Sequence, residues 1–204
     1  MSPLRAVLFD MDGTLLLPLL HDEGLPEFKA RWNIPAHKLI IPSLPSLPLA
    51  AAEEFDVLER DMAERGEARP GVTDLLTDLN RLGVHTGLVT NNSTASVRTM
   101  LERNHMPFQV TRTRADGPMK PKPDLILDAL MELGAPAAQT VFVGDTAPDL
   151  GAAQAAGVRA CLLLAEPWNE TLGGDDGFRV HRVQGILALR PILVRYGAPA
   201  ALGD

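Results

Sequence analysis

The chain has little that would staple or anchor it. Of its 204 residues only one is a cysteine, so no internal disulfide can form. That residue, Cys161, lies in the run Ala160-Cys161-Leu162-Leu163-Leu164, which reads as a buried strand rather than a reactive thiol. Positive charge is also short. The formal net charge is -7 at pH 7 and the pI is near 5.2, which leaves no basic patch for nucleic acid and points to a small-molecule partner. Long apolar runs are missing: Leu15 to Leu20 and Cys161 to Ala165 are far too short to span a bilayer. Met1-Ser2-Pro3 leads directly into a strand rather than a secretory signal, so a cytoplasmic location is expected. No internal repeat is present. What the composition allows is one sizeable core with room for a small insertion.

Short apolar strands alternating with helices make up most of the sequence. Strands are expected at Arg5 to Phe9, Val84 to Val89, Phe108 to Thr111, Thr140 to Val143, Val158 to Leu164 and Arg179 to Val183. Helices are expected at Val72 to Leu82, Ser93 to Asn104, Asp124 to Leu133, Pro148 to Ala156 and Gly185 to Tyr196. Val72, Leu75, Leu76, Leu79 and Leu82 recur at helical spacing and read as core. The alternation predicts an α/β fold, a doubly wound parallel sheet with right-handed crossovers and ligands beyond the carboxyl ends of the strands. Residues 16–69 are different in kind. A proline-spaced run from Ile41 to Pro48 precedes an Ala/Glu/Leu-rich helix from about Leu49 to Arg65, which reads as a small, mainly helical cap inserted between core segments 1–15 and 70–204. Its expected hinges are Leu17-Pro18 and Gly66 to Gly71. Glu166 to Gly177 reads as a mobile loop and Gly197 to Asp204 as a frayed tail.

Four stretches carry the chemistry. Val7-Leu8-Phe9-Asp10-Met11-Asp12-Gly13-Thr14 ends a strand with two carboxylates spaced two apart, which on a strand point the same way. Two like charges that close call for a cation or a shared proton, although an Asp-Gly turn closing a strand fits the same residues. Thr90-Asn91-Asn92-Ser93 places a hydroxyl at a strand end just before a helix whose first amides can bind an anion; a helix N-cap by Asn92 or Ser93 is the alternative. Lys120-Pro121-Lys122-Pro123-Asp124 offers two lysines, either of which also reads as a solvated turn charge. Gly144-Asp145-Thr146-Ala147-Pro148-Asp149 ends another apolar strand in a carboxylate with a second four residues on, where Asp149 also suits a helix dipole.

In this order, from Arg5 to about Val183, the four stretches resemble the motifs of the haloacid dehalogenase-like (HAD) hydrolase superfamily, and the plan is similar to its phosphoglycolate phosphatase-like group. The resemblance implies a HAD-like Rossmannoid core and a phosphatase acting through an aspartyl-phosphate: Asp10 as nucleophile, Asp12 as general acid and base, Thr90 and the Asn91 amide on the phosphoryl oxygens, and Lys120 bridging phosphate and nucleophile. It implies Mg²⁺ held by Asp10, the Asp12 carbonyl and Asp145, with Asp149 behind them. The substrate implied is small, anionic and phosphorylated. A phosphomutase of the same fold shares these motifs; a dehalogenase would need neither Asp12 nor Asp145, and a binding module that had lost the chemistry would lack one of Asp10, Asp12, Lys120 or Asp145. Where family members often carry a polar residue after the first motif, this chain runs Leu15 to Leu20. The polar cap residues available to grip a leaving group are His21, Lys29, Arg31, His37, Lys38 and Arg60.

Overall fold

The structure, a computed structural model, describes residues 2–18, 24–166, 169–174 and 177–203. Its six strands are β1 (Ala6–Phe9), β2 (His85–Val89), β3 (Val110–Arg112), β4 (Thr140–Gly144), β5 (Ala160–Leu164) and β6 (Val180–Val183). They form one parallel sheet in the order β3-β2-β1-β4-β5-β6. Of the helices, α1 (Gly24–Arg31) and α2 (Leu49–Arg65) lie between β1 and β2 in the chain. They are followed by α3 (Val72–Arg81), α4 (Thr94–Asn104), α5 (Asp124–Leu133), α6 (Ala147–Ala155) and α7 (Leu189–Arg195).

Strand parity divides the core into two layers. Val7 and Phe9 point with Leu88, Val141, Val143 and Leu162 toward α3 and α7, while Ala6, Leu8, Phe142 and Cys161 point toward α5 and α6. Both faces of the sheet are thereby covered, as a parallel sheet requires. The α3 residues Val72, Leu75, Leu76 and Leu79 are all buried, and Leu82 packs against them. Cys161 is fully buried in β5, and burial pushes its thiol pKa up. No described helix is long and apolar enough to cross a membrane.

Residues 24–58 contribute a third, smaller cluster in which Phe28, Ile34, Ile40, Ala51 and Phe55 are buried together. The expected helix over Leu49 to Arg65 forms with those bounds, and the proline-spaced run becomes a 3₁₀ helix, Ile41–Ser46, which Pro42 suits at its start and in which Pro45 withholds an amide that an α-helix would use. The chain enters and leaves this region side by side. Leu16 bridges Ala68 antiparallel, the Leu17 amide donates to the Glu67 carbonyl and the Arg69 amide to the Leu15 carbonyl.

Three expectations need correction. The helix expected over Gly185 to Tyr196 is a 3₁₀ turn, Ile186–Ala188, running into the shorter α7, with Pro191 in the first turn of the α-helix. Residues 197–203 are not frayed: Leu202 is fully buried in the main core, the Leu4 amide donates to the Gly197 carbonyl, and Arg190 donates to the Leu202 carbonyl. The loop expected at Glu166 to Gly177 is tied down at its start. The fully buried Asn169 side chain donates to the carbonyls of Leu164 and Asp145, and Arg182 donates to the Asn169 carbonyl. Residues 167–168 and 175–176 of that loop lie outside the described residues, as do Leu19, Leu20 and His21.

Candidate active site

From β1 the sheet is built toward β3 on one side and from β4 toward β6 on the other, and the reversal opens a crevice at their carboxyl ends. Asp10 follows β1, Asp145 follows β4, and Thr90 follows β2. The turn after Asp12 runs against the neighbouring strand end. Gly13 has φ 71° there, and a Cβ on it would lie 2.3 Å from the Asp145 carboxylate, so only glycine lets the turn pass. Thr14 then donates to Asp145 at 3.0 Å, joining the two strand ends. Arg69 holds the same turn from the side, donating to the Gly13 carbonyl at 2.7 Å and pairing with Glu166.

Lys120 is buried at the centre. Its ammonium donates to Asp10 at 2.6 Å, to Asp149 at 2.6 Å and to the Val89 carbonyl at 2.9 Å. Lys122 is exposed. The Asn91 side chain sets Lys120 in place, accepting from its backbone amide at 2.9 Å and donating to its carbonyl at 2.9 Å. Asp149 is fully buried at the third helical position of α6; one oxygen takes Lys120, and the other accepts from the amides of Asp145 and Thr146 and from the Thr146 hydroxyl. It is thus both a helix cap and part of the cluster. Burial, reinforced by the Asp149 charge, raises the Asp10 pKa to about 7 against the pull of Lys120. Although burial opposes its charge, Asp10 and Asp149 hold the lysine above its ordinary value.

Asp12 opens onto the cleft, and the Asn92 amide nitrogen donates to it at 2.6 Å. The protein crowded around it pushes its pKa up; Asn92 works against this shift and the charge of Glu59 adds to it. The sequence suggests an open anion site at the start of α4, but the structure fills part of it. Ser93 caps the helix, accepting from the Ser96 amide at 3.2 Å, while its own amide donates to Glu59 of α2 at 3.0 Å. The Asn92 backbone amide donates to the Thr90 hydroxyl oxygen, also at 3.2 Å.

Glu59, Asn92, Arg69, Arg114 and Asn169 were not singled out from the sequence as site residues. Glu59 is buried, receives Arg114 at 2.7 Å and 3.0 Å, and Arg114 also pairs with Asp56, so α2 is held to the sheet side of the cleft by one arginine. The contacts of Arg114 with α2, of Arg69 with Gly13 and of Asn92 with Asp12 span more than fifty positions in sequence, so no local pattern announces them; only Asn92 stood inside a recognisable motif. Of the described polar residues expected to grip a leaving group, Lys29 lines the cleft. Arg31 pairs with Glu54, and His37, Lys38 and Arg60 are exposed.

Asp10, Asp145 and Asp149 each offer a carboxylate oxygen within 4.8 Å of the others. The cluster has two more carboxylates than ammonium groups, and its hard oxygen donors suit a small divalent cation.

Comparison with known proteins follows this geometry. The family model for haloacid dehalogenase-like hydrolases matches residues 48–163, a span that holds Thr90, Lys120, Asp145 and Asp149 but not Asp10 or Asp12. A phosphoglycolate phosphatase of Pseudomonas syringae pv. tomato is 33% identical over 193 residues, covering 81% of this chain and 71% of the relative. An uncharacterised hydrolase of Saccharomyces cerevisiae is 28% identical over 171 residues, covering 78% of this chain and 77% of the relative. Among solved structures, CbbY from Rhodobacter sphaeroides in complex with phosphate has a TM-score of 0.66 at 23% identity, covering 87% of this chain and 93% of that one, and it shares the fold. The chain belongs to the haloacid dehalogenase-like hydrolases and is an enzyme of that family.

Proposed function

We propose that the chain is a Mg²⁺-dependent phosphomonoesterase acting on a small phosphorylated metabolite through an aspartyl-phosphate on Asp10. The observation that carries this reading is the buried Lys120 ammonium 2.6 Å from Asp10, inside a carboxylate cluster at the ends of the central strands. A relative that is a phosphoglycolate phosphatase, and a structural neighbour holding phosphate, support phosphoryl chemistry.

In this reading the Asp10 carboxylate attacks phosphorus as the ester P–O bond breaks, and Asp12 gives its proton to the departing oxygen. The raised Asp12 pKa suits a group that must begin this step protonated. Asp12 then takes a proton from water as that water attacks phosphorus and the bond to Asp10 breaks, which frees phosphate and restores both groups. Lys120, Thr90 and the Asn91 amide hold the phosphoryl oxygens, while Asn92 keeps Asp12 aimed. Asp10, Asp145 and the Asp12 carbonyl would hold Mg²⁺, with Asp149 orienting the set from behind; when bound, the ion supplies neutralising charge at the transferring group. Residues 16–69 serve as a cap that selects the leaving group and excludes water.

The test is phosphate release by the purified protein from a panel of phosphorylated metabolites and nitrophenyl phosphate. Activity should vanish in excess chelator and return with Mg²⁺. Full activity in chelator would remove the metal from the account, and no release from any ester would remove the phosphatase.

A further inference from the structure

The cleft above the carboxylate cluster has a volume of about 300 Å³, room for a small ligand. Its floor is polar and belongs to the phosphoryl group. The rest of its described wall is mostly apolar, with Leu25, Leu39, Ile41, Pro42, Phe55 and Met62 beside Lys29 and Glu59. A second cavity, lined by Leu16, Leu17, Pro18, Leu172 and the other side of the Leu25, Leu39 and Met62 wall, continues this surface past Asp12. Among the described residues, no arginine lines either cavity.

Two charged side chains stand in the first cavity apart from Asp10, Asp12 and Lys120. One is Glu59, buried and paired with Arg114. The other is Lys29, whose ammonium donates to the Ala36 carbonyl at 2.8 Å in an exposed position. A carboxylate or second phosphate on the leaving group would lose its water against this carbon wall and meet, among the described lining residues above the floor, no arginine and one lysine already held by a backbone carbonyl. A methyl or methylene group would be favoured by burial against the same wall.

We infer that the leaving group is uncharged and largely apolar, so that the substrate is a monophosphate ester of a small neutral alcohol and its negative charge is confined to the phosphoryl end. The inference rests on the phosphatase reading above and narrows it. It also separates this chain from its relative: phosphoglycolate carries a carboxylate where this wall offers carbon.

The test compares esters matched in shape. Phosphoglycolate and the phosphate ester of glycolamide differ by one charge, and isobutyl phosphate replaces both polar ends with methyl groups. With Mg²⁺ present, kcat/KM should rise at least 10-fold from phosphoglycolate to the amide and again to isobutyl phosphate. Leu39→Arg, at a position 55% exposed and so tolerant of a polar side chain, should raise kcat/KM for phosphoglycolate about 10-fold and lower it for isobutyl phosphate. Equal or better turnover of phosphoglycolate than of its amide by the native protein would overturn the inference. Release of phosphate from nitrophenyl phosphate but from none of the three would overturn it while leaving the phosphatase reading intact; no release from any ester would end both.

Discussion

The floor and the far wall of the cleft are built on opposite terms. On the floor, charged groups are buried and each is tied to another: Lys120 to Asp10 and Asp149, Asp149 to the start of α6, Asp145 to Thr14. The wall contributed by residues 24–62 is mostly carbon, packed on its own small cluster and fastened to the sheet side through Arg114 and Glu59. The floor can order and stabilise one particular chemical group, because its dipoles and charges are already oriented. In the proposed reading the wall chooses by size and by its scarcity of charge. On the same reading, reaction type and substrate choice therefore rest on separate parts of the chain.

The largest effect should come from breaking the floor. Lys120→Met keeps the volume but leaves Asp10 and Asp149 buried without their cation, a loss of about 3–5 kcal/mol when one partner of a buried pair is removed. Urea unfolding should show this, with phosphatase activity gone, and a loss under 1 kcal/mol would mean that water reaches the cluster. A smaller effect is expected where wall meets floor. Arg114→Ala strips the buried Glu59 of its cation and should cost about 1–3 kcal/mol. Limited proteolysis should then cut faster within residues 24–65 than within the sheet; equal protection of both would show that α2 is held by packing alone. The smallest effect belongs to the wall itself. Leu39→Ser, at an exposed position, should shift unfolding by less than about 0.5 kcal/mol, and a larger shift would place Leu39 in the packing that supports the cleft.

The same contrast explains what the sequence made legible. The sheet could be read because its strands are short apolar runs between turn signals, and α3 and α5 because their leucines keep helical spacing up to a glycine. The floor was legible because each of its residues lies inside a compact motif, Asp10 and Asp145 at strand ends; Lys120 and Lys122 are separated by register, and the structure buries the first and exposes the second. Arg114, Glu59 and Arg69 were hidden since each acts on a partner more than fifty residues away. Residues 197–203 read as a tail because alanine, proline and glycine predict no burial, yet Leu202 fills a place in the core that only tertiary packing defines. The composition of the wall was on the page as Leu25, Leu39 to Pro42 and Met62, but nothing local says that these residues face one cavity.

The central claim is the division of labour between Asp10 and Asp12, and Asp12→Asn tests it most directly. An alkyl phosphate needs a proton on its leaving oxygen, so its first step should slow by about 10²–10⁴-fold. Nitrophenyl phosphate leaves without that help, and hydrolysis of the aspartyl-phosphate, still lacking its base, should become limiting. Rapid mixing should then give a burst of nitrophenol near one equivalent per site, with the trapped phosphoryl group mapping to Asp10. Equal slowing on both substrates with no burst would contradict the account and leave Asp12 as a residue that only shapes the turn at Gly13.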